Sequence, residues 1–559
     1  MLAVFTVFAA GCSGKNVSSK IGSASADTAS KALTYSSESG SSAEKSNISI
    51  ACSVTDSFCP YTAKTAINRE ASLLLYDSLV RLDNSFSPYN CIAESVKQSG
   101  KTVTVTLKSI TFTDGSALTA DDVVYCAGKA KKSNTKYKDS LSGISVAAAS
   151  PSVVVFTGEK EDPYMVNRLD FPVYKAHSDT KSSSDRIEIP PIGSGRYIIN
   201  SAKTAFIANP DYYSTVNLKK IDLVNTPDPD ALSHNLEVGN ISYYYSDLSD
   251  CKLSQVRGGY EKVNLTRLVY LGTNMKSGAL SRTEMRLAVS AMLDRAKIVD
   301  DAYYQNAVSA TGIFHPSWKA APATTGADAS LSDKNVYLAQ LKKIGYNKKD
   351  SKGYFVNSEN TRLSLKLVCY KDNEWRLGAA ELIKNQLNAA GVEVKLEKLE
   401  WKDYVNSLKK GYYDLYLAEV KLGNNMDITE LVTKDGSAAY GVYYKKLPSS
   451  TESSSSSVGS SSASSAVSGI ASIGSAVSSA SSSGTASGTK EKTAEYAGST
   501  AAAVKKFYNG KAKLLEVANA FNSEMPIVPV CWRTGIVSFG EGISVSNTSA
   551  DDVYGGIGK

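Results

Sequence analysis

The stretch Leu363–Ala418, LSLKLVCYKDNEWRLGAAELIKNQLNAAGVEVKLEKLEWKDYVNSLKKGYYDLYLA, decides the fold. Leu363 to Tyr370 reads as a strand. Leu377, Ala380, Ile383, Leu387 and Ala390 then fall on one face of a helix, and Gly391 stands where a left-handed C-terminal residue is wanted. Val392, Val394 and Leu396 alternate with Glu393, Lys395 and Glu397, which gives a second strand with one polar face. Trp401, Tyr404, Val405 and Leu408 make a short helix ended by Gly411, and Tyr413 to Ala418 is a third strand. The result is a β-α-β-α-β unit whose crossovers imply parallel strands. In open parallel sheets ligands bind beyond the carboxyl ends of the strands. That selects Lys371–Trp375, Lys398–Lys402 and Glu419–Asn425 as ligand-facing loops.

Outward from this unit the chain mixes strands and helices without a repeated period, so a mixed α/β architecture follows and a solenoid or propeller does not. Ile67, Ala71, Leu74, Leu75, Leu79 and Leu82 fall at helical spacing and predict an amphipathic helix over 64–81. Val103, Val105 and Leu107 alternate with Thr102, Thr104 and Thr106, the period of a half-buried strand. Thr119 before Ala120, Asp121 and Asp122 reads as an N-cap with an acidic first turn. Ser449–Ser487 is almost all Ser, Ala, Gly and Thr and is expected to be a disordered insertion. It is not a domain boundary, because Ala502–Phe521 resumes a helical pattern that leads into an apolar strand, Ile527–Cys531.

At 559 residues and 59.5 kDa the chain needs more than one core. Its net charge of +7 is small for that length and scattered, which argues against a nucleic-acid footprint. The histidines, His177, His234 and His315, are isolated, and neither HExxH nor CxxC occurs. A secreted hydrolase would need a G-x-S-x-G elbow followed by a His partner, and none is present. No catalytic residue, metal site or cofactor is expected.

The N-terminus reads MLAVFTVFAAG directly before Cys12, an apolar leader closed by small residues, similar to a bacterial lipobox with Ala9 in place of the usual Leu. The positively charged region that should precede it is missing, so the true start is expected upstream. Residues 1–11 are then a signal-peptide remnant, Cys12 the lipidated residue, and 12–46 a flexible tether too poor in apolar side chains to fold. The remaining seven cysteines are odd in number. Cys52 with Cys59 could close a short loop, and buried free thiols are expected for most.

Six segments carry a resemblance, in order along the chain. LLLYDSLVRLD (Leu73–Asp83), TFTDGSALTADDVVY (Thr111–Tyr125), GSGRYII (Gly193–Ile199), NPDYY (Asn209–Tyr213), MRLAVSAMLDRAKIVD (Met285–Asp300) and MPIVPV (Met525–Val530) resemble motifs of the extracellular solute-binding proteins of family 5, the peptide and oligopeptide receptors of ABC importers. The resemblance implies a bilobal, periplasmic-binding-protein-like α/β fold (type II, cluster C-like) with a hinge and an extra small inserted domain. Lobe I would comprise 47–83, 186–275 and 516–559, the inserted domain 84–185, and lobe II 276–515. It further implies a peptide held extended between closing lobes and delivered to permease subunits. The protein would be a monomer on the extracellular face of the cytoplasmic membrane, or in a periplasm, held by its lipid alone.

The family often anchors the peptide ammonium with an Asp in a W-x-x-D segment after the strand that here ends at Ala418. This chain has no Trp there and Gly423 at the acidic position. Either Glu419 or Asp427 replaces the anchor, or the ligand is not an ordinary free peptide. Glu419 with Lys421 suits a zwitterion or a polar sugar-like solute; an ion pair within the loop is the structural alternative. Asn424 and Asn425 join the candidate contacts. Trp375 and Trp401 near loop mouths could line a side-chain pocket or belong to the core. Tyr270 and Asn274, in VYLGTNM, resemble a family segment near hinge and cleft. Alternatives within the class are an oligosaccharide, a signalling peptide or a metal chelate, with nickel disfavoured by the few histidines; outside it stand the hydrolase and a ligand-free surface protein.

Overall fold

A computed structural model describes residues 48–179, 189–254, 256–276, 278–323, 332–434, 436–443 and 499–557. Cys12, the 12–46 tether and the 449–487 insertion lie outside the described residues.

An eleven-stranded mixed sheet runs through these residues. Its strands, in chain order, are β1 (Ile48–Cys52), β2 (Tyr197–Ile199), β3 (Ala205–Ala208), β4 (Lys220–Asn225), β5 (Tyr243–Ser246), β6 (Gly258–Thr273), β7 (Ala307–Ser309), β8 (Ser364–Tyr370), β9 (Glu393–Leu399), β10 (Leu415–Lys421) and β11 (Ile527–Gly540). They lie side by side as β9-β8-β10-β6-β11-β5-β1-β4-β3-β2, with β7 paired to β11 off this path. The β8-helix-β9-helix-β10 unit is parallel, as its crossovers require, with Leu365 opposite Val394 and Val368 opposite Tyr416. Helix Glu374–Ala390 ends on Gly391 at φ 109°, the left-handed cap expected there.

Two apolar cores make the chain bilobal. One gathers the β8–β10 unit, helices 283–303 and the first part of β11; the other gathers β1, the segment 58–174 and the C-terminal tail. Strands β6 and β11 belong to both: Val263 packs in one core and Leu268 in the other. Between these positions the ladder breaks register. Asn264 pairs with Thr534 and Leu268 with Trp532, so Leu265, Thr266 and Arg267 face Arg533 alone. A bulge of this kind bends and twists the paired strands, and here it falls where the chain passes from lobe to lobe.

A four-stranded antiparallel sheet, Ala93–Ser99, Thr102–Leu107, Val153–Gly158 and Ile144–Ser150 in chain segments, stands apart from the large one. Val103, Val105, Val154 and Phe156 on its covered face join the first lobe's core. Helix Ala120–Lys132 begins at Thr119, whose N–H donates to Asp122 Oδ2 at 2.8 Å.

Three expectations need correction. The helix expected over 64–81 is α-helical only at Ala66–Ala71, and Val80–Leu82 is a strand paired with Pro88–Asn90. Leu79, Val80 and Leu82 are all buried, so an apolar run enclosed on both sides mimics helical spacing. The helix expected over 502–521 is two, Ser499–Phe507 and Leu514–Glu524. The strand expected at 527–531 continues to Gly540, buried almost throughout. Cys52 and Cys59 are both buried and unlinked.

Gly272 of β6 lies opposite Tyr416 of β10, and a Cβ there would fall 1.9 Å from the tyrosine ring. The Tyr416 hydroxyl donates to Tyr440 O at 3.2 Å, so the ring has no free exit. Gly272→Ala is expected to cost about 1–3 kcal/mol of unfolding free energy, measured by urea denaturation, through overpacking.

Candidate functional site

Beside the bulge lies a cavity of about 680 Å³. The first lobe supplies most of its wall: Ile67, Glu70 and Leu73 around the Ala66–Ala71 helix, Lys136 and Tyr137, and Tyr244 to Asp247 at the end of β5. Asn264 to Arg267 of the bulge form its floor, and Lys421 and Asn424 come from the second lobe. The Ala66–Ala71 helix starts where the Thr65 hydroxyl accepts from Asn68 N–H at 3.4 Å, while Asp56 binds the Lys64 and Thr65 N–H groups. This capping fixes the turn that carries Glu70.

The electrostatics are uneven. Burial pushes the Glu70 carboxyl well above its usual range, and nearby Asp247 adds to this. Desolvation within the cleft lowers Lys421 to about 8, helped by the positive charges of Lys136 and Arg267. Lys136 bridges Asp170 and Asp551, at 2.7 Å from each.

Among the residues selected from sequence, Lys421 and Asn424 line this cavity. Glu419 does not. It sits inside β10, paired with Val269 of β6, and its carboxylate meets Arg267 at 3.1 Å, Arg533 at 3.3 Å and Arg376 at 3.5 Å. Burial alone would raise its pKa; Arg376, Arg533 and Arg267 together outweigh that and lower it. Trp375 is buried against the same cluster, with the Arg533 guanidinium 5.3 Å from its ring centre. Trp401 packs on Tyr370 and Tyr404. Tyr270 is buried and donates to Ala438 O at 3.2 Å; Asn274 Nδ2 donates to Tyr413 O at 3.0 Å.

Asn425 and Asp427 serve a different contact. Asn425 Nδ2 donates to Asp162 Oδ2 at 2.8 Å, and Asp427 pairs with Lys160 at 2.8 Å. Asn424 Nδ2 reaches Asp170 Oδ2 at 3.1 Å, and its carbonyl accepts from Asn167 Nδ2 at 3.2 Å. The loop after β10 is thus fastened directly to the segment 160–170 that follows the small sheet.

Sequence inspection passed over Glu70, Lys136, Asp247 and Arg267. Only Arg267 left a trace, a cation inside the apolar run VNLTRLVYL; the others depend on which loops the fold brings together.

The family model described as bacterial extracellular solute-binding proteins, family 5 Middle, matches residues 87–437. The oligopeptide-binding protein AppA of Bacillus subtilis (strain 168) is 25% identical over 370 residues, 61% of this chain and 66% of that protein, just under two thirds of its length. Two solved structures share the fold at low identity. The ABC transporter substrate-binding protein CtaP of Listeria monocytogenes superposes with a TM-score of 0.64 at 19% identity, covering 92% of this chain and 99% of that one. A nickel ABC transporter protein of Bacillus halodurans gives 0.66 at 17% identity, covering 91% and 98%.

Proposed function

The chain belongs to the bacterial extracellular solute-binding proteins of family 5, and from that premise we propose that it captures a peptide-class solute between its lobes and delivers it to the permease subunits of an ABC importer. It performs no chemical step; capture shifts the two-lobed molecule toward the closed state that a permease engages. It works as a monomer on the outer face of the cytoplasmic membrane, tethered by a lipid on Cys12.

The observation that carries this is the cavity itself. Its volume of about 680 Å³ lies within the range of roughly 300–1,000 Å³ usual for small-ligand sites. Both lobes contribute to it, and it adjoins the only register break of β6 that coincides with the passage between the cores. The match to an oligopeptide-binding relative favours a peptide over other solutes.

Thermal unfolding of the full chain tests this against three panels: mixed oligopeptides of two to six residues, oligosaccharides, and nickel with histidine. Peptides are expected to stabilise the protein by about 2.7 kcal/mol at a hundredfold excess over Kd, a Tm rise of a few degrees. A rise with sugar or the nickel chelate and none with peptides would sink the peptide assignment.

A further inference from the structure

The charged side chains around the cavity are nearly all spoken for. Lys136 is held by Asp170 and Asp551, and Arg267 by Asp247 at 2.8 Å and by Glu419. Arg69 donates to the carbonyls of Ala63 and Lys64. Asp83 and Asp250 each accept backbone N–H groups. Glu70 and Lys421 remain: among the described residues neither forms an ion pair or a side-chain hydrogen bond, and both line the cavity.

Glu70 is half-buried, where a charge without a partner is unfavourable; Lys421 is exposed in the cleft, and the local register sets it against a second cation. In the β6–β10 ladder it lies directly opposite Arg267, a like-charge pair on one face of the sheet. Arg267 is held by its two carboxylates, whereas Asp247, Asp170 and Asp139 act on Lys421 only at a distance, with no ion pair to it among the described residues. Glu70 has the mirror problem: Asp247 disfavours its charge more than Arg69 favours it, and the Arg69 guanidinium donates to backbone carbonyls instead. The two lone charges have opposite sign. One comes from the first lobe and the other from the second.

We propose that Glu70 and Lys421 are the two ends of a recognition site for a short zwitterionic ligand, Glu70 taking its ammonium group and Lys421 its carboxylate. The ligand is a short peptide with both termini free. It replaces the missing partner at each end and so ties one lobe to the other. The lining is mixed: Leu73, Phe86, Tyr244 and Leu265 offer apolar and aromatic surface to the body of the ligand, and the other charged residues there, such as Lys136 and Arg267, are already paired within the protein. The ammonium anchor then stands on the first lobe, on the short helix after Thr65, rather than on the loop after β10. That loop is free to make the lobe-to-lobe contacts of Asn424, Asn425 and Asp427.

This rests on the assignment of the cavity as a peptide site, and the test separates the two. Calorimetric titrations of the full chain use trialanine, N-acetyl-trialanine, trialanine amide and free leucine, against wild type, Glu70→Gln and Lys421→Met. Wild type is expected to bind trialanine at least about 30-fold more tightly than either end-blocked form. Glu70→Gln should lose the discrimination against the acetylated peptide and keep that against the amide; Lys421→Met should show the converse. Ligand-free Tm of both variants should equal or exceed that of wild type, since each loses an unpartnered charge. Equal binding of free and blocked trialanine overturns the charge pair and leaves the peptide assignment standing. Binding of leucine alone, weakened by both substitutions, keeps the charge pair and overturns the peptide. No binding of any of the four overturns both.

Discussion

Glu419→Ala is expected to lower the unfolding free energy by about 3–5 kcal/mol, the cost of stripping the one carboxylate from buried cations that depend on it. Arg533 and Arg376 are almost wholly enclosed, and each has a guanidinium nitrogen within 3.5 Å of Glu419. Without the carboxylate, Arg267 retains Asp247 and Arg533 retains its hydrogen bonds to the carbonyls of Asp247 and Leu248, but Arg376 retains no other ion pair among the described residues. The loss is therefore concentrated on Arg376, and Arg376→Met introduced with Glu419→Ala should recover part of it. Urea unfolding of the two single variants and the double variant measures that coupling. Protonation probes the same group. Its folded pKa lies below the ordinary 4.5, so as pH falls the unfolded chain takes up the proton first. The stability contributed is complete above about pH 4.5 and is lost as pH drops through the depressed folded value. The acid limb of a stability–pH curve should be shallower in Glu419→Ala than in wild type; identical limbs would remove the argument.

Asp552→Ala is expected to cost a comparable amount, about 3–5 kcal/mol, in the other lobe. Asp552 joins Arg81 and Arg196, each at 2.8 Å, and burial's upward push on its pKa is outweighed by Arg196 and Arg81. Arg81 is 2% exposed and also closes the short 66–74 helical turn, donating to Leu73 O at 2.9 Å and pairing with Asp77 at 3.0 Å. Arg196 holds the tail a second time through Tyr554 O at 3.0 Å. Removing Asp552 leaves two buried guanidinium groups short of charge and loosens the tail. A fall in the urea midpoint with faster proteolysis around 545–557 is the expected result. Faster proteolysis with an unchanged midpoint would mean that the tail is only an appendage.

What the sequence made legible follows from how each segment is buried. The β8–β10 unit could be read because its strands are covered unequally: Glu393, Lys395 and Glu397 face outward, and helices 374–390 and 401–410 carry their own end signals in Gly391 and Gly411. Of the two long strands, β11 was legible only in part and β6 was not read as a strand. Enclosed on both faces, β11 and the Leu268–Thr273 part of β6 lose the alternation that marks a strand. The same enclosure misplaced the anchor. Glu419 looks like the first residue of a loop, yet β10 runs on to Lys421 and keeps Glu419 within the sheet. Lys421, at the carboxyl end of β10, and Asn424 beyond it were identifiable from the rule for parallel sheets. Glu70 was not, because a lone carboxylate on a six-residue helix has no pattern; its meaning arises only when Asp247 and Lys421 are brought around one cavity.

The passage of β6 and β11 through both cores has a mechanical consequence. Two chains laced together by a continuous ladder cannot slide past each other or stretch without breaking many hydrogen bonds at once, but the ribbon they form flexes across its flat face, most easily where Leu265 to Arg267 oppose Arg533 alone. A tilt of the two halves about this line, as pages tilt about a spine, is therefore a motion the ribbon resists less than sliding or stretching. A solute entering the gap meets Glu70 and Lys421 along one trajectory of approach, so its length, measured from end to end, sets how far the pages shut.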